Sequence, residues 1–364
     1  MKKLKKKKIK KNYKNNERKL FIDRHKFHKK KKIVFAVNYF FFFSILFIIS
    51  LFILIIIIKM LSKPFNNKIK IVSQKEILLN EISNKDKYFA CFSTMIKQEN
   101  RYVREVIDYY LKLGVEKFIL TDNSDPNTEK LSDVLQDYIK YNIVDILDYI
   151  GKPIAQSKCF EITYERYKTK CEWILFFDID EYLVMHFNEE KNITLQEYVS
   201  NPIFDKCESI LINWLLFTDN NLAYYDNRTL LERFTEPSYT SGGNAFIKAM
   251  VRGNLSKPTF VEGKTHHHPN KDLIICDSMG EIIKDVQITL KPPRHKYAYL
   301  IHFTTKTAEE YVAKTLNGYP ENRPETNIPG RVDLFFDLNK FTEEKLKIFE
   351  KGFNMTFPKY HKNK

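Results

Sequence analysis

Asp178 and Asp180 stand two residues apart at the end of an apolar run, Trp173 to Phe177. In extended chain, residues i and i+2 point the same way, so this spacing aims two carboxylates at one spot beside a hydrophobic wall. Mutual repulsion would raise one pKa there unless a cation sits between them. Hard oxygen ligands on few side chains leave coordination positions open, as Mg²⁺ or Mn²⁺ requires when it also binds a diphosphate. The chemistry implied is metal-assisted departure of a phosphate leaving group. The bland alternative is a solvated acidic turn behind a buried strand.

The elements that must position this pair are legible upstream. YFACFSTMI (88–96) is a mostly apolar run of strand length. Val103, Val106, Ile107, Tyr110 and Leu111 then recur on one helical face, and Gly114 suits a left-handed C-terminal cap. KFILTD (117–122) and IVDIL (143–147) read as strands around a helix bearing Leu131, Val134, Leu135, Tyr138 and Ile139. A third helix runs from Pro153 to about Lys170, and EWILFFDID (172–180) is the fourth strand. Strand–helix alternation implies an α/β fold with a mainly parallel sheet covered by helices on both faces. Ligands gather at the carboxyl ends of such strands. Three ends carry polar clusters: Lys97-Gln98-Glu99-Asn100, Asp122-Asn123-Ser124 and Asp178-Ile179-Asp180-Glu181. After 181 the alternation loosens into strands at 207–217, 245–252 and 296–303, a helix from Thr307 to Lys314, and a packed tail with one short helix, Thr342 to Lys351. A phosphatase of the haloacid dehalogenase type fits poorly. Its D-x-D-x-[T/V] belongs on the first strand, whereas Tyr182 holds the fifth position here and the motif falls on the fourth.

The formal net charge of +15 describes a tail rather than a surface. Residues 1–32 hold 17 Lys and Arg against Glu17 and Asp23, which leaves the rest of the chain electrically balanced. Nucleic acid is thereby excluded as a partner, since phosphate contacts want clustered Lys and Arg on the folded part. Ile33 to Ile58 is a run without one charge. At ~1.5 Å per residue it is long enough to cross a ~30 Å hydrocarbon core. Lys29 to Lys32 abut its start, so the positive-inside rule keeps 1–32 cytosolic and translocates the residues beyond the span, a single-pass type II topology. Cys91, Cys159, Cys171, Cys207 and Cys276 all lie beyond the span, where an oxidising lumen permits up to two disulfides and leaves one thiol over. Sequons at Asn192, Asn227, Asn254 and Asn354 occur at a number close to chance for this composition.

The segments 96–127, 171–183, INWLLF (212–217), ERF (232–234) and IHFTTKTAEEYVAKTLNG (301–318) resemble glycosyltransferase family 92 and its close bacterial relatives, in order and approximate spacing. The resemblance implies a GT-A fold, a UDP-sugar donor and inverting transfer, with galactose favoured, to a glycan acceptor. It further implies that Asp180, with Asp178 directly or through water, holds the divalent metal on the donor diphosphate, and that His302 is another metal ligand. Lys306 would add positive charge beside the diphosphate. Asp122, Asn123, Lys97, Glu99 and Asn100 match segments that line the nucleotide pocket; Gln156 and Lys158 begin the helix crossing toward it. Trp214 and Arg233 fall on the sugar or acceptor side. Thr218-Asp219, where a glycine-containing turn is expected, and Phe303, where Tyr is usual, depart from the family's pattern on the acceptor side. Inversion needs a base for the acceptor hydroxyl, and Glu181 and Asp219 are the candidate acids. His266-His267-His268 read as an exposed or acceptor-facing loop rather than a zinc site.

The chain is therefore expected to comprise a cytosolic tail (1–32), a transmembrane helix (33–58), a stem (59–86) and a GT-A-like catalytic domain (87–364), luminal in the Golgi if eukaryotic. In a bacterium the same orientation would separate the domain from its donor. The alternative is a membrane-tethered carbohydrate-binding or adhesion module, which has no need of a diphosphate–metal site.

Overall fold

The structure is a computed structural model that describes residues 50–51, 67–154, 156–187, 193–256, 272–285, 287–318 and 326–361. Except for Ser50 and Leu51, the expected membrane span lies outside the described residues, as do the basic tail, Asn192 and His266 to His268. Among the described residues no helix is long and apolar enough to cross a membrane. The chain divides into two compact units, Met1–Glu76 and Ile77–Lys364, and the sheet lies wholly within the second. That unit begins ten residues before the expected start at 87. A helix, α1 (Asn67–Ser83), occupies most of the expected stem, and Leu79 and Ile82 near its end join the core.

Among the described residues nine strands form one sheet: β1 (Tyr88–Ile96), β2 (Lys117–Asp122), β3 (Val144–Asp148), β4 (Cys171–Phe176), β5 (Glu181–Met185), β6 (Ser209–Leu216), β7 (Ile247–Arg252), β8 (Ile275–Asp277) and β9 (Ala298–His302). Their order is β3-β2-β1-β4-β7-β6-β9-β5, with β8 also on β6. β3, β2, β1 and β4 run parallel, and helices α2 (Asn100–Lys112) and α3 (Gln156–Tyr167) supply crossovers. β7 is antiparallel to both β4 and β6, so β6 regains the direction of β4, and β9 runs parallel to β6. The carboxyl ends of β1, β2, β3, β4, β6 and β9 consequently share one edge. The expected helix over 131–139 is two short pieces, Leu131–Val134 and Gln136–Lys140.

Burial follows the sequence pattern. β2 is buried on both faces, as a central parallel strand must be, and Tyr102, Val103, Val106, Ile107, Tyr110 and Leu111 form the inward stripe of α2. Disulfides Cys91–Cys171 and Cys207–Cys276 join β1 to β4 and the approach of β6 to β8, leaving Cys159 as a buried thiol. The C-terminal region is richer than a tail with one helix. Helices α4 (Ala308–Asn317), α5 (Ile328–Leu338) and α6 (Glu343–Phe353) enclose a second apolar cluster around Tyr311, Phe335 and Phe349.

At the end of β7 the backbone N–H of Gly253 donates to Glu172 O at 2.7 Å. A Cβ on Gly253 would stand 1.9 Å from Cys171 O and 2.5 Å from Lys168 O, both backbone atoms that can yield only by moving the main chain of β4 or of the turn before it. Gly253→Ala should therefore cost about 2–3 kcal/mol, read as a lower midpoint in urea unfolding.

Candidate active site

β4 pairs with β1 and β7, whereas β5 pairs with β9, so the chain has to turn between them. The strand expected over 172–180 accordingly stops at Phe176, and Asp178 and Asp180 lie in the connecting turn. This corrects the two-residue alternation argument: the pair sits in a turn and not in extended chain, and each carboxylate has its own hydrogen-bond partners. Asp178 Oδ1 accepts from Gln156 Nε2 at 3.0 Å and its Oδ2 from Lys248 Nζ at 2.8 Å. Asp180 Oδ2 accepts from Lys306 Nζ at 2.8 Å and Lys314 Nζ at 2.7 Å, while its Oδ1 lies 3.5 Å from His302 Nε2.

Asp180 is buried, which by itself raises a carboxyl pKa. The positive charges of Lys306 and Lys314 outweigh burial and hold Asp180 well below the usual carboxylate range. Burial pushes the other way on His302 and, despite Asp180, keeps its imidazole below the ordinary value, hence neutral at pH 7. Burial also opposes the charge on Lys306, yet Asp180 and Glu99 keep its ammonium above the ordinary lysine value.

Glu181, a candidate base on sequence grounds, has a fully buried side chain. Its Oε2 accepts the Asp178 N–H at 3.0 Å and its own N–H donates to Asp178 O at 3.2 Å, so it braces the acidic turn. Burial drives its carboxyl well above the ordinary range; Lys248 opposes that, and the Asp178 and Asp180 charges add to it. Its Oε1 and His302 Nδ1 face each other at 4.0 Å, and both are buried atoms without a hydrogen-bond partner.

Other expected residues are divided between the cluster and its scaffold. Glu99 reaches the cluster, accepting from Lys306 Nζ at 3.2 Å. Lys97 follows β1 and is half-buried. Asn100 donates to Glu129 O and Oε2. Asp122 spends both oxygens on the loop after β2, accepting from Ser124 N and Leu131 N. Asn123 donates to Tyr149 O and Lys152 O, so this fully buried pair shapes the edge of the site. Lys158 is not brought to the cluster; it pairs with Glu161 on the exposed side of α3. Trp214 packs its ring against His302, centroids 4.3 Å apart.

Sequence reasoning missed Lys248, Lys314, Glu310 and Tyr102. Arg233 proves to be scaffold, forming a buried two-pronged pair with Glu310 at 2.7 and 2.9 Å. Glu310 also accepts from Tyr102 OH at 2.5 Å, and Lys306 Nζ lies 4.9 Å from the centre of the Tyr102 ring. Two signals were present in the sequence. Lys248 is a lone charge inside the apolar run of β7, and Thr307 to Glu310 has capping-box spacing.

A family model described as glycosyltransferase family 92 matches residues 86–271. A glycosyltransferase family 92 protein of Oryza sativa subsp. japonica is 36% identical over 113 residues, covering 31% of this chain and 19% of that protein. One of Ricinus communis is 30% identical over 114 residues, covering 30% and 19%. The match thus spans about a fifth of the length of these curated relatives. Among solved structures, S. aureus TarS residues 1–349 in complex with UDP is 12% identical, with a TM-score of 0.35, covering 73% of this chain and 80% of that one.

Asp219, the other candidate base, is withdrawn from the site surface. Its carboxylate meets Lys345 Nζ at 2.5 Å, with both side chains buried, and its N–H donates to Asn339 Oδ1. The pair ties the segment after β6 to α6. Lys345→Met should leave Asp219 buried without its cation and cost about 3–5 kcal/mol, measurable as a shift in the chemical-denaturation midpoint.

Proposed function

The chain belongs to glycosyltransferase family 92, and we propose that it transfers a sugar, galactose favoured, from a UDP-sugar to a glycan acceptor with inversion. The observation that carries this reading is the charge arrangement at the sheet's carboxyl edge. Two aspartates, a neutral histidine and three lysines meet there, with Lys248, Lys306 and Lys314 each on an aspartate oxygen. A departing diphosphate requires such a store of positive charge, and a carbohydrate-binding module does not.

Among the described residues no three His, Cys, Asp or Glu side chains are grouped to hold a metal ion, so Mn²⁺ or Mg²⁺ here would draw its remaining ligands from the donor diphosphate and water. Asp180 Oδ1 carries no lysine contact and stands 3.5 Å from the Nε2 of a neutral imidazole, an oxygen and a nitrogen able to share one ion. Asp180 and His302 would hold the cation, with Asp178 joining directly or through water. When bound, that ion supplies Lewis-acid stabilisation of the leaving diphosphate. His302 Nδ1 faces Glu181 Oε1 at 4.0 Å, beyond hydrogen-bond reach. Lys306 stays near the leaving group because Glu99 and the Tyr102 ring both retain it. Trp214 offers an apolar wall beside His302 for a sugar ring. Glu181 and Asp219 brace and bolt this site, so the acceptor's proton goes to another group.

The apolar run 33–58, its basic cytosolic flank and the two disulfides favour a type II membrane protein whose catalytic domain, from about residue 77, lies in an oxidising lumen. In detergent, the 364-residue chain should release UDP from at least one member of a UDP-sugar panel with Mn²⁺. Asp180→Asn should lower that turnover by about 100-fold or more. A folded sample inert toward every donor would overturn the reading and favour the carbohydrate-binding module.

A further inference from the structure

Asp180 Oδ2 receives two ammonium groups at nearly equal distance, Lys306 at 2.8 Å and Lys314 at 2.7 Å. Two like charges on one oxygen repel each other, and the less firmly held one is the one to exchange. Lys306 is firmly held. Its side chain is 2% exposed, it also bonds Glu99, it lies over Tyr102, and its backbone sits in the left-handed region at φ 55°. Lys314 differs on each count. It projects from the last turn of α4, its side chain is 31% exposed, and its flexible four-carbon stem can re-aim the charge without moving the helix. α4 itself is anchored, because Glu310 one turn earlier is locked to Arg233 and Tyr102.

We infer that Lys314 is an exchangeable counter-ion: it neutralises Asp180 while the donor is absent and transfers to the donor's diphosphate when the nucleotide enters, leaving Lys306 alone on Oδ2 and less positive charge opposing a divalent cation at Oδ1. The inference rests on the nucleotide-sugar reading above and adds to it a residue and an order of events. Metal and nucleotide then bind as a linked pair, each lowering the cost of the other. The phosphate contact depends on the second phosphate, so Lys314 distinguishes UDP from UMP.

The test uses the 364-residue chain in detergent, with Mn²⁺ binding read by electron paramagnetic resonance and UDP and UMP binding by calorimetry. Lys314→Met should bind UDP about tenfold more weakly while UMP affinity holds, the loss of one charge-assisted phosphate contact. The same variant should bind nucleotide-free Mn²⁺ about tenfold more tightly, because a competing cation has left Asp180. Lys314→Arg should keep the wild-type preference for UDP over UMP. Opposite shifts for UDP and Mn²⁺ are not what loss of packing produces, and circular dichroism checks that each variant is folded. Equal UDP binding by wild type and Lys314→Met, or equal losses of UDP and UMP, overturns the exchange while the donor reading stands. A wild-type chain that binds no UDP at all overturns both.

Discussion

A carboxylate taken out of water must have its charge answered within hydrogen-bond reach, and Asp180 sets that demand for the whole sheet edge. Lys306 and Lys314 answer it from one side and the His302 ring faces it from another. These partners come from β9 and from the start and last turn of α4, so the demand fixes where those elements end relative to the β4–β5 turn. Glu181 applies a related constraint from beneath, holding the Asp178 N–H while pairing with His302 in the ladder of β5 and β9. The acidic turn is thus over-determined by backbone pairing and by charge together.

A second buried network makes the first rigid. Glu310 spends one oxygen on Tyr102 and Arg233 and the other on Arg233 and the capping hydroxyl of Thr307. It therefore caps α4, ties that helix to α2 through Tyr102, and brings the Tyr102 ring beneath Lys306. The Glu310 contacts thereby join the packing of Tyr311 and Val312 in holding the cationic end of α4 against Asp180. Farther out, the Asp219–Lys345 pair joins the C-terminal helices to the same edge.

The parallel half of the sheet was legible because its cues are local. Tyr88–Ile96 and Lys117–Asp122 are apolar runs of strand length, and the i, i+3, i+4 spacing from Val103 marks the buried face of α2. The resemblance located Asp180, His302 and Lys306 in the sequence, and the structure brings these three together. What stayed hidden depends on long-range geometry. Asp178 and Asp180 lie in a turn because β4 and β5 serve different neighbours, a fact no local period contains. Asp219 and Glu181 looked like free acids because burial and partners such as Lys345 lie far along the chain. Helix α5 begins with Ile328 and Pro329 after a Pro-rich stretch, which reads as loop until Val332 and Phe335 find the second apolar cluster.

Asp178, Asp180 and Glu181 are close neighbours in sequence, whereas His302, Lys306 and Lys314 come from a stretch more than a hundred positions later, past the end of the family match at 271. Any recombinant joining two related sequences at a crossover between β5 and β9 would set one parent's acids against the other parent's bases. Such hybrids would inherit intact strands and mismatched electrostatics. The two stretches are thus a single heritable unit, matched across the strands β6, β7 and β8 that separate them.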